Sequence, residues 1–479
     1  MLFNSITYLL FLPAVVLVFW CLPVRLRTGF LVIASCYFYM SWLPVYGILL
    51  AALTVGNYFM GLSLDRFAKF KKPLLILGLA GNLLTLAYFK YTDFLIGSIN
   101  KCSQSIFAAP QPAFALQHVL LPLGISFFVF EFIHYLTDIY KGSKPVKNFV
   151  EFSLFAAFFP SQIAGPIKRY QAFVKQLANP AKFSPEAVER GMQLLLQGLF
   201  KKVALADNLS PIVSQGFAHA GALGFAEGWL TALAFAAQIY CDFSGYTDMG
   251  RGSAIMMGFD LPDNFNWPYL ATNLSDFWKR WHISLSTWLR DYLYIPMGGS
   301  KCSKLRRHLN LLITMLLGGL WHGASWHYVV WGGFHGLGLV LCHSYDALLR
   351  GDNKLASALL AFHQTRKAKV ISAALTFAFV LVGWVFFRAD STTEALQLLQ
   401  SMFCARPSDY LSEALAKYPA VCALCLYAVY RLTFWGKPIT LSKAMSLPLP
   451  ARGLAYVSLF VLAIGLAPSG DSPFIYFQF

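Results

Sequence analysis

Ser275 to Gly299 reads SDFWKRWHISLSTWLRDYLYIPMGG. Taken as one helix, it places Trp278, Trp281, Leu285, Trp288 and Tyr292 on an apolar face at spacings of three and four. Lys279, His282, Ser286 and Arg290 form a second stripe at the same spacing. A cationic stripe beside tryptophans has two readings. One is an interfacial helix whose basic face meets lipid headgroups. The other is a cradle for an anionic cofactor, with His282 inside the stripe.

The rest of the chain supplies the membrane. Hydrophobic residues make up 57% of the 479 residues and charged residues 13%, about half the charge of an ordinary soluble domain. Mean hydropathy is +0.56. So few charges cannot solvate a soluble surface of this size, so the sequence predicts an all-α polytopic membrane protein. The net charge of +16 sits in short loops between apolar runs. That is the positive-inside pattern and not a clustered nucleic-acid patch. Nine scattered cysteines, an odd number, give no disulfide framework. Cys422 and Cys425 form a CxxC in an apolar segment, read as buried small hydrophobes.

Apolar runs lie near 5–24, 28–43, 45–63, 73–91, 117–140, 227–241, 308–321, 325–345, 368–387, 417–435 and 450–467. They predict about 11 transmembrane helices. The first run lacks a basic n-region and a small-residue cleavage site, so it reads as a retained span with its N-terminus outside. Arg25 and Arg27, then Arg66, Lys69, Lys71 and Lys72, then Lys141, Lys144 and Lys147 fall at even intervals of spans and mark the cytoplasmic side. Residues 160–306 are too apolar for a soluble loop and too polar for ordinary spans, which predicts re-entrant or half-buried helices lining a cavity. One membrane domain, 1–479, is expected: N-terminal spans to 147, a core at 148–346, C-terminal spans at 347–472 and an aromatic tail at 473–479.

Other polar residues interrupt the apolar runs. GGLWHGASWHYVVWGGFHG, Gly318 to Gly336, carries His322, His327 and His335 at separations that place no two on one helical face as metal ligands. No zinc motif is present, and Glu131 with His134 gives a single ExxH where a di-iron bundle needs two. His322 fits a general base, since imidazole titrates near working pH, against the alternative of a hydrogen-bonded structural histidine. Glu131, His134 and Asp138 share a helical face and should line a cavity or meet a basic partner. In QIYCDFSGYTDMGRG, Gln238 to Gly252, the glycines and hydroxyls predict a bent helix end with hydrogen-bonded carboxylates at Asp242 and Asp248.

Together, the 275–299 block, LWHG at His322, CDFSGYTDMGRG and SQIAGPIKRY resemble the membrane-bound O-acyltransferase family, in its bacterial branch that O-acetylates alginate. Relatives serve peptidoglycan O-acetylation and teichoic-acid D-alanylation. The resemblance implies a ring of tilted spans and re-entrant helices around a central funnel. It also implies acetyl-CoA or another acyl thioester as donor substrate, with no permanently bound cofactor and no metal. His322 matches the family's catalytic histidine and His282 the second motif histidine, with His335 in support. Trp281, Trp321, Ser286 and Asp291 are further supporting candidates, and the stripe argument makes Lys279, Arg280 and Arg290 candidates for donor phosphates. Expected partners are the lipid bilayer, an extracytoplasmic O-acetyltransferase of the serine-hydrolase type and a polysaccharide acceptor. The expected location is the bacterial inner membrane. A transporter or flippase is the rival from another class, and it predicts internal repeats that the sequence does not show.

The chain ends in PFIYFQF, Pro473 to Phe479, with an FxYxxF pattern at Phe474, Tyr476 and Phe479. An aromatic membrane anchor is one reading. By resemblance to the tail of a small D-alanylation partner, Tyr476 is the other: an acyl-relay residue reaching the funnel from outside.

Overall fold

The computed structural model describes residues 1, 3–107, 114–351, 357, 360–363, 365–404, 448–468 and 474–475, and among them it contains helices and turns and no strand. The helices are α1 (Ile6–Cys21), α2 (Val24–Met40), α3 (Pro44–Arg66), α4 (Lys71–Phe107), α5 (Ile125–Tyr140), α6 (Phe149–Ala157), α7 (Tyr170–Ala178), α8 (Pro185–Leu199), α9 (Asp207–Ala218), α10 (Phe225–Met256), α11 (Leu274–Arg280), α12 (Ile283–Leu289), α13 (Lys304–His322), α14 (Trp326–Leu349), α15 (Arg366–Arg388), α16 (Thr392–Ser401) and α17 (Leu449–Gly465). π-helical turns at Phe200–Ala206 and Arg290–Tyr294 follow α8 and α12. The apolar run near 417–435, Cys422, Cys425 and Tyr476 lie outside the described residues.

Three described helices are long and apolar enough to cross a membrane: Pro44–Arg66, Ala68–Ile106 and Arg366–Arg388, with hydropathies of 1.6, 1.4 and 2.4. Ile6–Cys21 and Pro450–Gly465 are apolar but shorter. Helix α1 shows which solvent the sequence was built for. Ile6, Leu10 and Leu17 on one side are 77%, 71% and 67% exposed, while Tyr8, Leu12, Val15 and Phe19 are buried. Such a row of bare aliphatic side chains is stable against lipid and not against water.

The described residues group into two compact units, Met1–Leu195 with Thr247–Pro262, and Leu196–Tyr246 with Asp263–Phe479. In the first, polar side chains join helices where lipid offers no hydrophobic drive between them. Asn57 of α3 and Asn82 of α4 exchange reciprocal amide hydrogen bonds of 3.1 and 2.7 Å. Tyr8 Oη lies 2.7 Å from Ser253 Oγ. The acidic face of α5 meets its basic partner: Lys168 Nζ donates to both Glu131 carboxylate oxygens at 2.8 Å. Beside that pair, the Tyr170 amide donates to His134 Nε2 at 3.3 Å and Gln171 Nε2 donates to Asp138 Oδ2 at 2.7 Å. SQIAGPIKRY, with the Gln171 that follows it, therefore satisfies the acidic face of α5.

In the second unit, α13 and α14 pack backbone against backbone. A Cβ on Gly319 would collide with the carbonyl oxygen of Tyr328 and approach Gly332 Cα to 3.1 Å; one on Gly332 would strike the carbonyl oxygen of Met315. Glycines here let two backbones touch, which dispersion rewards in a membrane protein.

Two sequence expectations change. Ser275–Gly299 is not one helix: it breaks at Trp281 and His282 into α11 and α12. The predicted bent helix end at Gln238–Gly252 is instead the interior of α10, which runs unbroken from Phe225 to Met256. A Cβ on Gly245 would lie 2.7 Å from the Gly198 carbonyl oxygen and 3.1 Å from the Lys202 amide nitrogen. That glycine therefore serves close packing and not a turn.

The Glu131–Lys168 pair, with side chains 5% and 2% exposed, yields a stability prediction. Lys168→Met strands a buried carboxylate and should destabilise the protein by about 3–5 kcal/mol. Glu131→Gln in the same chain should recover most of that loss, measured as thermal unfolding in detergent.

Candidate active site

His282 has left-handed backbone angles, φ 41° and ψ 55°, which cost a non-glycine residue free energy unless its surroundings impose them. Asn264 imposes them. Its Oδ1 accepts from the Ser284 amide at 3.1 Å and from Ser284 Oγ at 2.7 Å, and it lies 3.3 Å from His282 Nδ1. The Ser284 amide can only donate, so this Asn264 atom is the oxygen. His282 Nδ1 must then carry the proton toward it, which leaves Nε2 as the basic nitrogen of the neutral ring. The backbone closes the same loop: the Ile283 amide donates to the Asn264 carbonyl at 2.9 Å. His282 is 1% exposed and meets the Phe243 ring edge-on at 4.7 Å.

His322 is the last residue of α13 and is 5% exposed. Trp331 and Phe387 stand edge-on to its ring at 5.1 and 5.2 Å. Trp321 touches both histidines, with its ring 4.9 Å from His322 and 6.2 Å from His282. His322 borders a cavity of about 130 Å³, which Ser286, Arg290, Trp278, Thr314 and Trp331 also line. Apolar walls come from Leu285, Leu289, Met315 and Leu339. The arrangement puts an imidazole and an arginine on one cavity with largely apolar walls, with the arginine side chain 60% exposed at its open side.

The other sequence candidates separate. Of the three cations expected to meet donor phosphates, Arg290 lines this cavity, and Lys279 and Arg280 do not. The break at His282 rotates α11 away from the register of α12. Arg280 Nε donates to Asp276 at 2.8 Å and Lys279 is exposed. Arg290 Nε donates to its neighbour Asp291, also at 2.8 Å. Ser286 Oγ donates to the Trp281 carbonyl at 3.2 Å. Trp281 lies in the aromatic core, 4.8 Å from Trp384 and 5.0 Å from Phe265, and is not a cavity wall. His335 is fully buried against Trp331, Trp278 and Phe379 at 5.0, 5.2 and 5.6 Å. His327 Nδ1 lies 2.9 Å from Ser325 Oγ.

Sequence reasoning missed Asn264, Phe387 and Lys202. Asn264 lies in the loop PDNFNWPYL, where no spacing singles it out. Lys202 carried a signal, a lysine inside the apolar run LFKKVALA. Among the described residues no three of His, Cys, Asp and Glu are grouped to hold a metal ion.

Asn264→Ala removes the one oxygen shared by the Ser284 amide, Ser284 Oγ and His282 Nδ1. The expected loss is about 1–3 kcal/mol of stability from stranded buried donors, read as a lower unfolding temperature. Asn264→Asp should lose less.

Known proteins resemble this chain throughout. Residues 117–389 match MBOAT, the membrane-bound O-acyltransferase family. A probable alginate O-acetylase of Azotobacter vinelandii is 37% identical over 100% of both chains. A peptidoglycan O-acetyltransferase of Helicobacter pylori is 37% identical over 78% of this chain and 73% of its own. A teichoic acid D-alanyltransferase of Bacillus subtilis is 29% identical over 58% of this chain and 71% of its own.

Proposed function

The chain belongs to the membrane-bound O-acyltransferase family, and from that premise we propose that it relays acetyl groups from a cytoplasmic thioester across the inner membrane to an extracytoplasmic polysaccharide. It is an O-acyltransferase by family and by relatives. The proposed acceptor is an alginate-like exopolysaccharide, as the name of the Azotobacter vinelandii relative suggests. The equal identity of the peptidoglycan O-acetyltransferase supports peptidoglycan as the second acceptor.

The observation that carries the reading is His322 on the wall of the 130 Å³ cavity that Arg290 and Ser286 share. In the proposed reaction, acetyl-CoA or another acyl thioester presents its carbonyl at this cavity. His322 takes the proton of the attacking hydroxyl as that oxygen bonds to the carbonyl carbon. The carbon–sulfur bond breaks, and His322 returns the proton to the departing thiolate. His282 orients the reactants through its basic Nε2, and Trp331 and Trp278 keep bulk water from the acyl ester. Arg290 meets donor phosphates, a role this reading no longer gives to Lys279 or Arg280.

The attacking hydroxyl is assigned to Tyr476. Its acetyl ester then passes to an outer serine-hydrolase-type O-acetyltransferase, whose serine oxygen displaces the phenol and which acylates the glycan. About 11 spans around a funnel open to both sides complete the proposal.

His322→Ala should lower thioester-dependent acetyl transfer by at least about 100-fold while leaving the purified protein folded. Wild-type rates in that variant overturn the catalytic assignment. Tyr476→Phe should abolish transfer to the outer partner, and wild-type protein incubated with donor alone should carry an acetylated C-terminal peptide in its mass spectrum. A tyrosine that serves only as an anchor predicts neither result.

A further inference from the structure

The Lys202–Asp207–Asp242 cluster has no role in the chemistry above. Lys202 is on the π-helical turn Phe200–Ala206 and is 3% exposed. Its Nζ lies 2.7 Å from Asp207 Oδ1 and 2.8 Å from Asp242 Oδ1. Both carboxylates are buried, at 6% and 1% exposure. Two carboxylates share this ammonium, so a further donor to Asp242 is strongly favoured. That donor is the backbone amide of Ile475, 2.7 Å from Asp242 Oδ2. The preceding residue, Phe474, is 1% exposed and stacks on Tyr246, with ring centres 4.3 Å apart and planes inclined by 19°. It also lies 6.1 Å from Phe243, the ring that stands edge-on to His282. Ile475 is 5% exposed within the hydrophobic core.

We propose that Asp242 is a positioning residue for the C-terminal segment. Together with Lys202 it forms a dock that holds the backbone at Phe474 and Ile475 one aromatic ring away from His282. The dock uses two independent contacts. A charge-assisted hydrogen bond fixes the backbone, and Phe474 fills the aromatic site between Tyr246 and Phe243. The dock reads the backbone amide and not a side chain, and Tyr476 comes next in sequence. The catalytic consequence of docking rests on the reading of Tyr476 as acyl carrier; the docking itself does not.

The test is hydrogen exchange at the Ile475 amide in the full-length protein in detergent, read by mass spectrometry of the C-terminal peptide, alongside acetyl transfer. Asp242→Ala leaves Lys202 paired with Asp207, so the buried ammonium keeps a counterion. It should speed exchange at Ile475 by about 10-fold or more and lower kcat with little change in KM for the donor. Asp242→Asn retains an acceptor oxygen and should restore part of both. Phe474→Ala leaves the ion cluster intact and should also speed exchange. Unchanged protection at Ile475 in folded Asp242→Ala and Phe474→Ala overturns the dock, even if Tyr476→Phe is inactive. Faster exchange in both variants with full activity in Tyr476→Phe supports the dock and overturns the relay.

Discussion

The contact on which the site depends is the meeting of α13 and α14 at Gly319 and Gly332. No side chain separates the two backbones there, since a Cβ on either glycine would collide with a carbonyl oxygen of the other helix. In water, burial of apolar area would hold such a pair together. In lipid that drive is absent, and close van der Waals contact replaces it. The contact fixes the end of α13, and His322 is the last residue of that helix. It also sets Trp331 of α14 edge-on to the His322 ring. A larger residue at either glycine would move base and wall together, because both ride on the same pair of backbones.

The second constraint is polar. A membrane protein cannot pass buried polar groups to water, so each must be answered within the chain. Asn264 answers for the break before α12, Lys168 for Glu131, and Lys202 for two aspartates. The partners are far apart in sequence in the first two cases, and the Asp242 contact of Lys202 is equally remote. These groups are costly when unpaired, so each pair works as a specific fastener as well as a neutralised charge.

That distinction separates what was legible in the sequence from what was not. The apolar runs mark α1 to α5, α10, α13 to α15 and α17, because length and hydropathy are local properties. The acidic face of α5 and its need for a basic partner were also visible from a spacing of three and seven residues. The identity of that partner was not. The helix break at His282 was invisible for the same reason. One residue in the left-handed region changes chain direction without disturbing the three-and-four spacing of apolar residues around it, and Asn264, which imposes the turn, lies 18 residues away. At Gly245 the sequence suggested a bend because glycine usually marks one in isolation. Here the helix continues, since a missing Cβ lets α10 approach the Gly198 carbonyl and the Lys202 amide.

Gly245 connects these two constraints. The close approach it allows brings α10 against the π-helical turn, which puts Asp242 within 2.8 Å of Lys202. π-Helical turns are rare and concentrate at functional positions, because the extra residue re-aims side chains that a regular helix would point elsewhere. Lys202 is such a side chain. If the turn relaxed to a regular α-helix, the residues after it would shift by about 100° around the axis, and Lys202 could not bridge Asp207 and Asp242 together. Asp242 would then bear a charge that Lys202 no longer balances in an apolar setting. A backbone irregularity, a glycine contact and a three-residue ion cluster thus act as one device. Its outward product is the position of two residues near the chain's end, beside the ring that borders His282.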